Sequence, residues 1–186
     1  MITFYESICQ RPWLAIDGCL GGWVCCYINK NQIDLFTVSK LEKLHQHLFH
    51  TIYIDIPVLL PSALNDYPRK SDKKAKSFLG KFHASVFYAP MQTWLNLTYS
   101  EINKVCEKNQ KPKISKQSFF LFPKIIEVLA FKEHAQCNIK ELHPELLIHY
   151  FLKKSKKSKK SMPGCKQRMK VIHQILGNNY SINYMN

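Results

Sequence analysis

The sequence predicts an α/β fold: a mixed sheet that opens β-β-β-α-β, with helices on its flanks. Three observations predict it. Trp13 to Ile16, Trp23 to Ile28 and Gln32 to Val38 are short apolar or β-branched runs separated by turn formers, with Asn29-Lys30-Asn31 between the last two. Ser39-Lys40-Leu41-Glu42 then has the S-x-x-E form of a capping box, and Leu41, Leu44 and Leu48 recur at helical spacing. Finally, T-I-Y-I-D-I-P, Thr51 to Pro57, reads as a buried fourth strand that stops at a proline.

An acid closes the first strand and another closes the fourth. Asp17 ends W-L-A-I-D and is followed by three glycines in five residues, Gly18, Gly21 and Gly22. As turn formers alone, these residues give a β-hairpin with a Gly-rich loop. Asp55 closes the fourth run. Three meandering strands, a crossover helix and a strand are the opening of a ribonuclease H-like sheet. In that order strand four lies beside strand one, which brings Asp17 and Asp55 together. They then sit at the carboxyl ends of sheet strands, where such folds build sites.

The elements beyond Pro57 follow in order. P-S-A-L-N-D-Y-P is a loop, and Arg69 to Leu79 is a basic helix carrying Asp72 and Lys76. Phe82 to Pro90 reads as a strand or extended connection. Met91 to Lys108 is helical in pattern, Lys111 to Gln117 is a basic loop, and a helix runs from Phe119 or Pro123 to His134. Cys137 to Leu142 is a fifth strand, H-P-E-L-L-I-H-Y-F-L starts a helix, and a last helix spans Lys166 to Leu176. The flexible lysine-rich loop covers 153–161 and a polar tail covers 177–186. With 186 residues against about 150 per domain, a single domain over 1–186 is expected.

Bulk composition narrows the class. Hydrophobic content of 46% indicates a globular chain. No apolar run approaches the roughly 20 residues of a membrane span, and the N-terminus lacks the basic lead and apolar core of a signal peptide. The seven cysteines are odd in number and contain no C-x-x-C pair. That argues against a disulfide framework or a zinc cage, and for a reduced, cytoplasmic chain. Cys25-Cys26 reads as small buried apolar residues. The net charge of +14 suits a polyanionic partner, most commonly nucleic acid. Lys153 to Lys160 holds six lysines in eight positions. It is either a solvated loop or a phosphate-contacting one.

I-D-G-C-L-G-G-W-V, I-D-I-P-x-x-L-P, the R-x-x-D-x-x-A of Arg69, Asp72 and Ala75, S-V-F-x-A-P, I-S-K-Q, P-K-I-x-E-V and E-L-H-P-E occur in that order. Together they resemble domain-of-unknown-function family 429, whose members are predicted ribonuclease H-like nucleases. The resemblance runs from Ile16 to Arg168 and implies the fold reached from strand order. It places the family's motif acids on Asp17, Asp55, Asp72, Glu127, Glu141 and Glu145. Its motif polar residues fall on Arg69, Ser115, Gln117, Lys124, His143, Lys160 and Arg168. Family members continue into a final helix with a D-D-x-x-D-A type motif, whereas no acidic residue follows Glu145 here. The chain is therefore expected to be shortened, with that C-terminal helix missing.

The implied reaction is phosphodiester hydrolysis with Mg²⁺ or Mn²⁺, in which carboxylates hold the metal. Mg²⁺ takes few protein carboxylates and keeps several waters, so two or three acids suffice. Asp17 and Asp55 are the expected pair, Glu141 is a third ligand, and Glu145 completes the acidic set. His143 is a candidate proton carrier, since its ordinary pKa of about 6.5 is close to neutrality. E-L-H-P-E is equally the start of a helix whose first-turn acids complement the dipole. The expected substrate contacts are Arg69, Ser115, Gln117, Lys124, Lys160 and Arg168. Arg69 with Asp72 and Lys124 with Glu127 also have ordinary i, i+3 pair spacing, and Ser115 and Gln117 could equally cap a helix. The alternative to a nuclease is an inactive relative that only binds nucleic acid through its basic loops.

Overall fold

A computed structural model describes residues 13–29, 32–45, 49–152, 156–177 and 181–184. The chain divides into two units, Met1–Ile56 with Phe131–Asn186, and Pro57–Ala130.

The first unit is a mixed six-stranded sheet with helices. Strands β1 (Trp13–Cys19), β2 (Gly22–Asn29) and β3 (Gln32–Val38) form an antiparallel meander. β4 (Thr51–Ile54) pairs parallel to β1, and β5 (Asn138–Glu141) parallel to β4. β6 (Ser181–Tyr184) pairs parallel to β3, giving the order β5-β4-β1-β2-β3-β6. The five-strand part is the α/β arrangement expected from the order of the runs, and it is consistent with a ribonuclease H-like sheet.

Pleat alternation explains which residues the sheet buries. Leu14 and Ile16 on β1, and Ile52 and Ile54 on β4, are almost wholly buried. They pair in register, Leu14 with Ile52 and Ile16 with Ile54, and Cys25 on β2 faces Ile16. The intervening residues Trp13, Ala15 and Asp17 take the other face, where Trp13 packs edge-on to Tyr53 at 6.2 Å. Burial, with a smaller push from Cys19 and Cys26, raises the Cys25 thiol to about 12, so it behaves as an apolar residue.

Local details depart from the sequence reading. β1 runs past Asp17 to Cys19, and the turn is Leu20-Gly21, with Gly21 at φ +85°. Gly22 lies so close to the Val38 carbonyl oxygen that a Cβ would overlap it. The capping box at Ser39 does not form. Leu41–Lys43 is a single 3₁₀ turn whose cap, Lys40, supplies no side-chain hydrogen bond. Leu41 and Leu44 are buried, so the apolar spacing is satisfied by a turn, and residues 46–48, including Leu48, lie outside the described residues. Within 177–186, residues 181–184 form β6, and Asn183 donates to the Asp34 carboxylate at 3.0 Å.

Two helices complete the first unit. α5 (Pro144–Leu152) follows β5, and α6 (Met162–Leu176) ends the helical part of the chain. α6 starts earlier than Lys166 because Ser161 caps it, accepting from the Gly164 N–H at 3.2 Å.

The second unit holds α1 (Lys70–Leu79), α2 (Tyr99–Lys108), α3 (Lys116–Phe120) and most of α4 (Phe122–Glu133). Its core contains Tyr67, Leu79, Trp94, Ile102, Ile125 and Val128. Of the strand or extended connection expected over Phe82 to Pro90, the first part belongs to a 3₁₀ stretch, Gly80–Ser85, which gives way to extended chain at Val86. The single helix expected from Met91 is a 3₁₀ turn at Gln92–Trp94 followed by α2. A genuine capping box between Thr98 and Glu101 starts α2.

Candidate active site

Asp17 and Asp55 meet where parallel pairing stops. The β1–β4 register ends at Ile16 opposite Ile54, and the Asp55 N–H then donates to the Ile16 carbonyl at 3.2 Å. The next residue on each strand is the acid. β1 continues as a hairpin with β2, Asp17 opposite Val24, while β4 ends at Ile54. Asp17 is exposed and Asp55 half-buried.

β5 brings a third strand end to the same place. Glu141 pairs with Ile54, and the Leu142 N–H donates to the Ile54 carbonyl at 2.9 Å. His143 comes next, just before α5. Burial pushes the Asp55 carboxyl up to about 6. His143 opposes that shift, Asp17 adds to it, Lys159 opposes it, and Glu141 adds least. Four ionisable groups from two strand ends and one loop therefore act on the charge of Asp55. By register Glu141 falls on the face of Ile54, opposite to that of Asp55, which accounts for its minor part.

Glu145 has a different environment. It is buried in the first turn of α5, between Lys156 and Arg168. Arg168 donates from Nη2 to both carboxylate oxygens at 3.1 Å. Burial alone would raise the Glu145 carboxyl, but hydrogen bonds and charge from Lys156 and Arg168 outweigh it and hold the group below its ordinary range. Arg168 also donates from Nη1 to the Lys157 and Gly164 carbonyls, each at 3.1 Å. Both Glu145 and Arg168 thus sit in a shared ion cluster, while Lys160 is exposed in the turn before α6.

The remaining expected contacts belong to the second unit. Arg69 donates from Nε to the two oxygens of buried Asp72 at 3.0 and 3.1 Å, and from Nη1 to the Leu59 carbonyl at 2.7 Å. Asp72 also accepts from the Ala89 N–H at 2.9 Å. This clamp ties α1 to the chain on both sides of it. Ser115 caps α3, accepting from the Ser118 N–H at 3.0 Å, and Gln117 is exposed. Lys124 and Glu127 are half-buried one turn apart on α4.

The donor set suits a hard divalent cation with few protein ligands. Two carboxylates on neighbouring strand ends match the demand of Mg²⁺ or Mn²⁺ for one or two acids plus water. Among the described residues no cluster of three or more His, Cys, Asp or Glu able to hold a metal occurs. Lys159, whose charge acts on Asp55, was not singled out by the sequence: spacing does not tell the six lysines apart, and the resemblance put its motif lysine on Lys160.

Among the described residues no helix is long and apolar enough to cross a membrane. Neither the curated proteins nor the solved structures contain a match to this chain. The sequence profile of the family described as Protein of unknown function (DUF429) matches residues 16–183, and the chain belongs to that family.

Proposed function

We propose that the carboxyl end of β1, β4 and β5 is a divalent-metal site that hydrolyses phosphodiester bonds in nucleic acid. The observation that carries this reading is the juxtaposition of Asp17 and Asp55 at the point where parallel pairing ends. A raised carboxyl beside a second acid is the pattern that function imposes on titratable groups. Asp17 and Asp55 would hold Mg²⁺ or Mn²⁺, while Glu141, by register on the opposite face, would stand outside the ligand set. A bound divalent ion supplies Lewis-acid stabilisation of charge on a phosphoryl oxygen. Asp55 must be ionised to bind a cation, and a cation beside it favours that form. His143, two residues beyond Glu141 at the end of β5, would take up or give a proton at its ring. The basic surface would steer a polyanionic substrate.

Calorimetry with Mn²⁺ on monodisperse wild type and on Asp17→Asn tests the site. Binding by wild type that is lost in the variant supports it, and folded wild type that binds no Mn²⁺ overturns it. Nucleic-acid binding without hydrolysis is the second reading. It is favoured by the absence of a three-ligand cluster among the described residues together with the +14 charge. On that reading, affinity for single-stranded DNA survives Asp17→Asn and no cleavage appears with Mn²⁺.

A further inference from the structure

The first helix of the second unit has two unlike sides. α1 buries Asp72 and Leu79 and half-buries Ala75 and Lys76, a stripe at i, i+3, i+4 and i+7. Its other side carries Lys70, Lys73, Lys74, Ser77 and Phe78, all exposed. Lys81, also exposed, follows Ser77 by four residues in the 3₁₀ stretch beyond. Asp72 is the only acidic residue between Tyr67 and Ser100, and its carboxylate is turned inward to Arg69 and the Ala89 N–H. Lys76 is drawn away as well: its Nζ donates to the His83 carbonyl at 3.2 Å and stands 4.8 Å from the Tyr88 ring centroid. The outward side of α1 is therefore cationic without an acid of its own, and Phe78, 50% exposed, lies one turn from Lys74.

Helix stability does not account for this arrangement. Cations in the first turn oppose the helix dipole. Lys70 meets Lys73 and Lys74 at i, i+3 and i, i+4, where like charges repel. A phenyl ring left half exposed among them forgoes part of its burial. A chain of phosphates relieves the repulsion, releases counterions and offers bases as flat partners for the ring. Other lysine-bearing segments lack the combination. α3 sets one lysine, Lys116, a turn from exposed Phe120, and the nearby Lys113 pairs with Glu107 at 3.1 Å. The run after α5 ties Lys156 to Glu145 and has no aromatic residue from Lys153 to Arg168. A lipid surface fits α1 less well. Its buried side faces the core of its own unit, and the outward side offers a single ring, too little apolar area to enter a bilayer.

We propose that the outward side of α1 binds single-stranded nucleic acid, with Lys70, Lys73, Lys74 and Lys81 on backbone phosphates and Phe78 stacked on a base. Nothing in this surface depends on Asp17, Asp55 or a divalent ion.

The test is an anisotropy titration of the full chain with labelled oligothymidylate in EDTA, at several salt concentrations. Replacing Lys70, Lys73 and Lys74 together by Gln should weaken binding about tenfold or more at low salt and reduce the slope of log affinity against log salt by about 2. The same variant should melt no lower than wild type, because it removes the repulsions within α1. Phe78→Ala should weaken binding about fivefold or more and leave that slope unchanged. With an abasic oligomer of equal length, Phe78→Ala should have no effect. Affinity and slope unchanged in the triple variant overturn the proposal, and an equal Phe78→Ala loss on the abasic oligomer overturns the stacking part. Should the triple variant fail to fold, the three single variants, each expected to lower the slope by about 0.7, decide the same question. Vesicles of phosphatidylcholine and phosphatidylserine probe the lipid alternative. Vesicle binding that the variants lose, with oligothymidylate affinity intact, assigns the face to a membrane surface and overturns the proposal. If wild type binds no Mn²⁺ while oligothymidylate binding still depends on these lysines, the metal reading falls and the α1 surface stands.

Discussion

Asp55 carries a cost that the fold tolerates. Its carboxyl rises from 3.8 to about 6, chiefly through burial and then through Asp17. As pH rises past 3.8, the unfolded chain releases this proton before the folded one does, so folding is progressively penalised until pH passes about 6. Asp55→Asn removes the penalty. Its stability should match that of wild type near the lower bound and exceed it above the upper one, by at most about 3 kcal/mol at neutral pH and less where solvent screens the half-buried group, with Tm following. Thermal melts of both proteins across that range check it, and a constant gap at every pH would rule out the assigned cause. Wild-type Mn²⁺ affinity should fall as pH is lowered through about 6, where protons compete for Asp55. Both acids were legible in the sequence because each follows an apolar run and strand order makes those runs neighbours. The environment of Glu145 was not. Its partners Lys156 and Arg168 come from a later loop and helix, and no local spacing links them to E-L-H-P-E. Arg69 with Asp72 was legible as a pair, because both lie within one turn; the Leu59 and Ala89 backbone partners required the fold.

At the scale of elements, α5, α6 and the intervening loop are joined through one carboxylate with two cations. Replacing Glu145 by Gln leaves Lys156 buried without its counter-charge, which should cost about 3 kcal/mol. The native Glu145 carboxyl lies below its ordinary 4.5, so its contribution is fully present above that value and is lost as pH falls through the lower folded-state value. The Tm gap between wild type and Glu145→Gln should therefore be widest near neutrality and narrow in acid, which melts at two pH values will show. Strands were read well because their apolar alternation is intrinsic to the pleat. Helix starts were read less well where caps decide them. Ser39-x-x-Glu42 has the form of a box without its bonds, whereas Thr98 and Glu101 make both. β6 escaped notice because S-I-N-Y is too short to declare a strand, and its pairing with the neighbouring β3, where Asn183 meets Asp34, is not visible locally.

For the whole molecule, charge is the dominant global property. Of the four described lysines in the run, Lys156 is paired with Glu145, leaving Lys157, Lys159 and Lys160 to meet a polyanion. Replacing these three by Gln should reduce the slope of log affinity against log salt by about 2 for single-stranded nucleic acid. Titrations at several salt concentrations measure it, and an unchanged slope would remove the run from the interface. The α/β class was legible because strand order and crossover rules leave few topologies. The division into two units was not, since no linker composition marks residues 57 or 130. That division also bears on synthesis. The ribosome must deliver residues 57–130 before β5 exists, so the β4 edge waits unpaired through that interval. An open edge of I-Y-I on a growing chain is a template for mispairing. Slowing elongation within those residues should raise aggregation of nascent chains, while the same delay placed after β5 should do little.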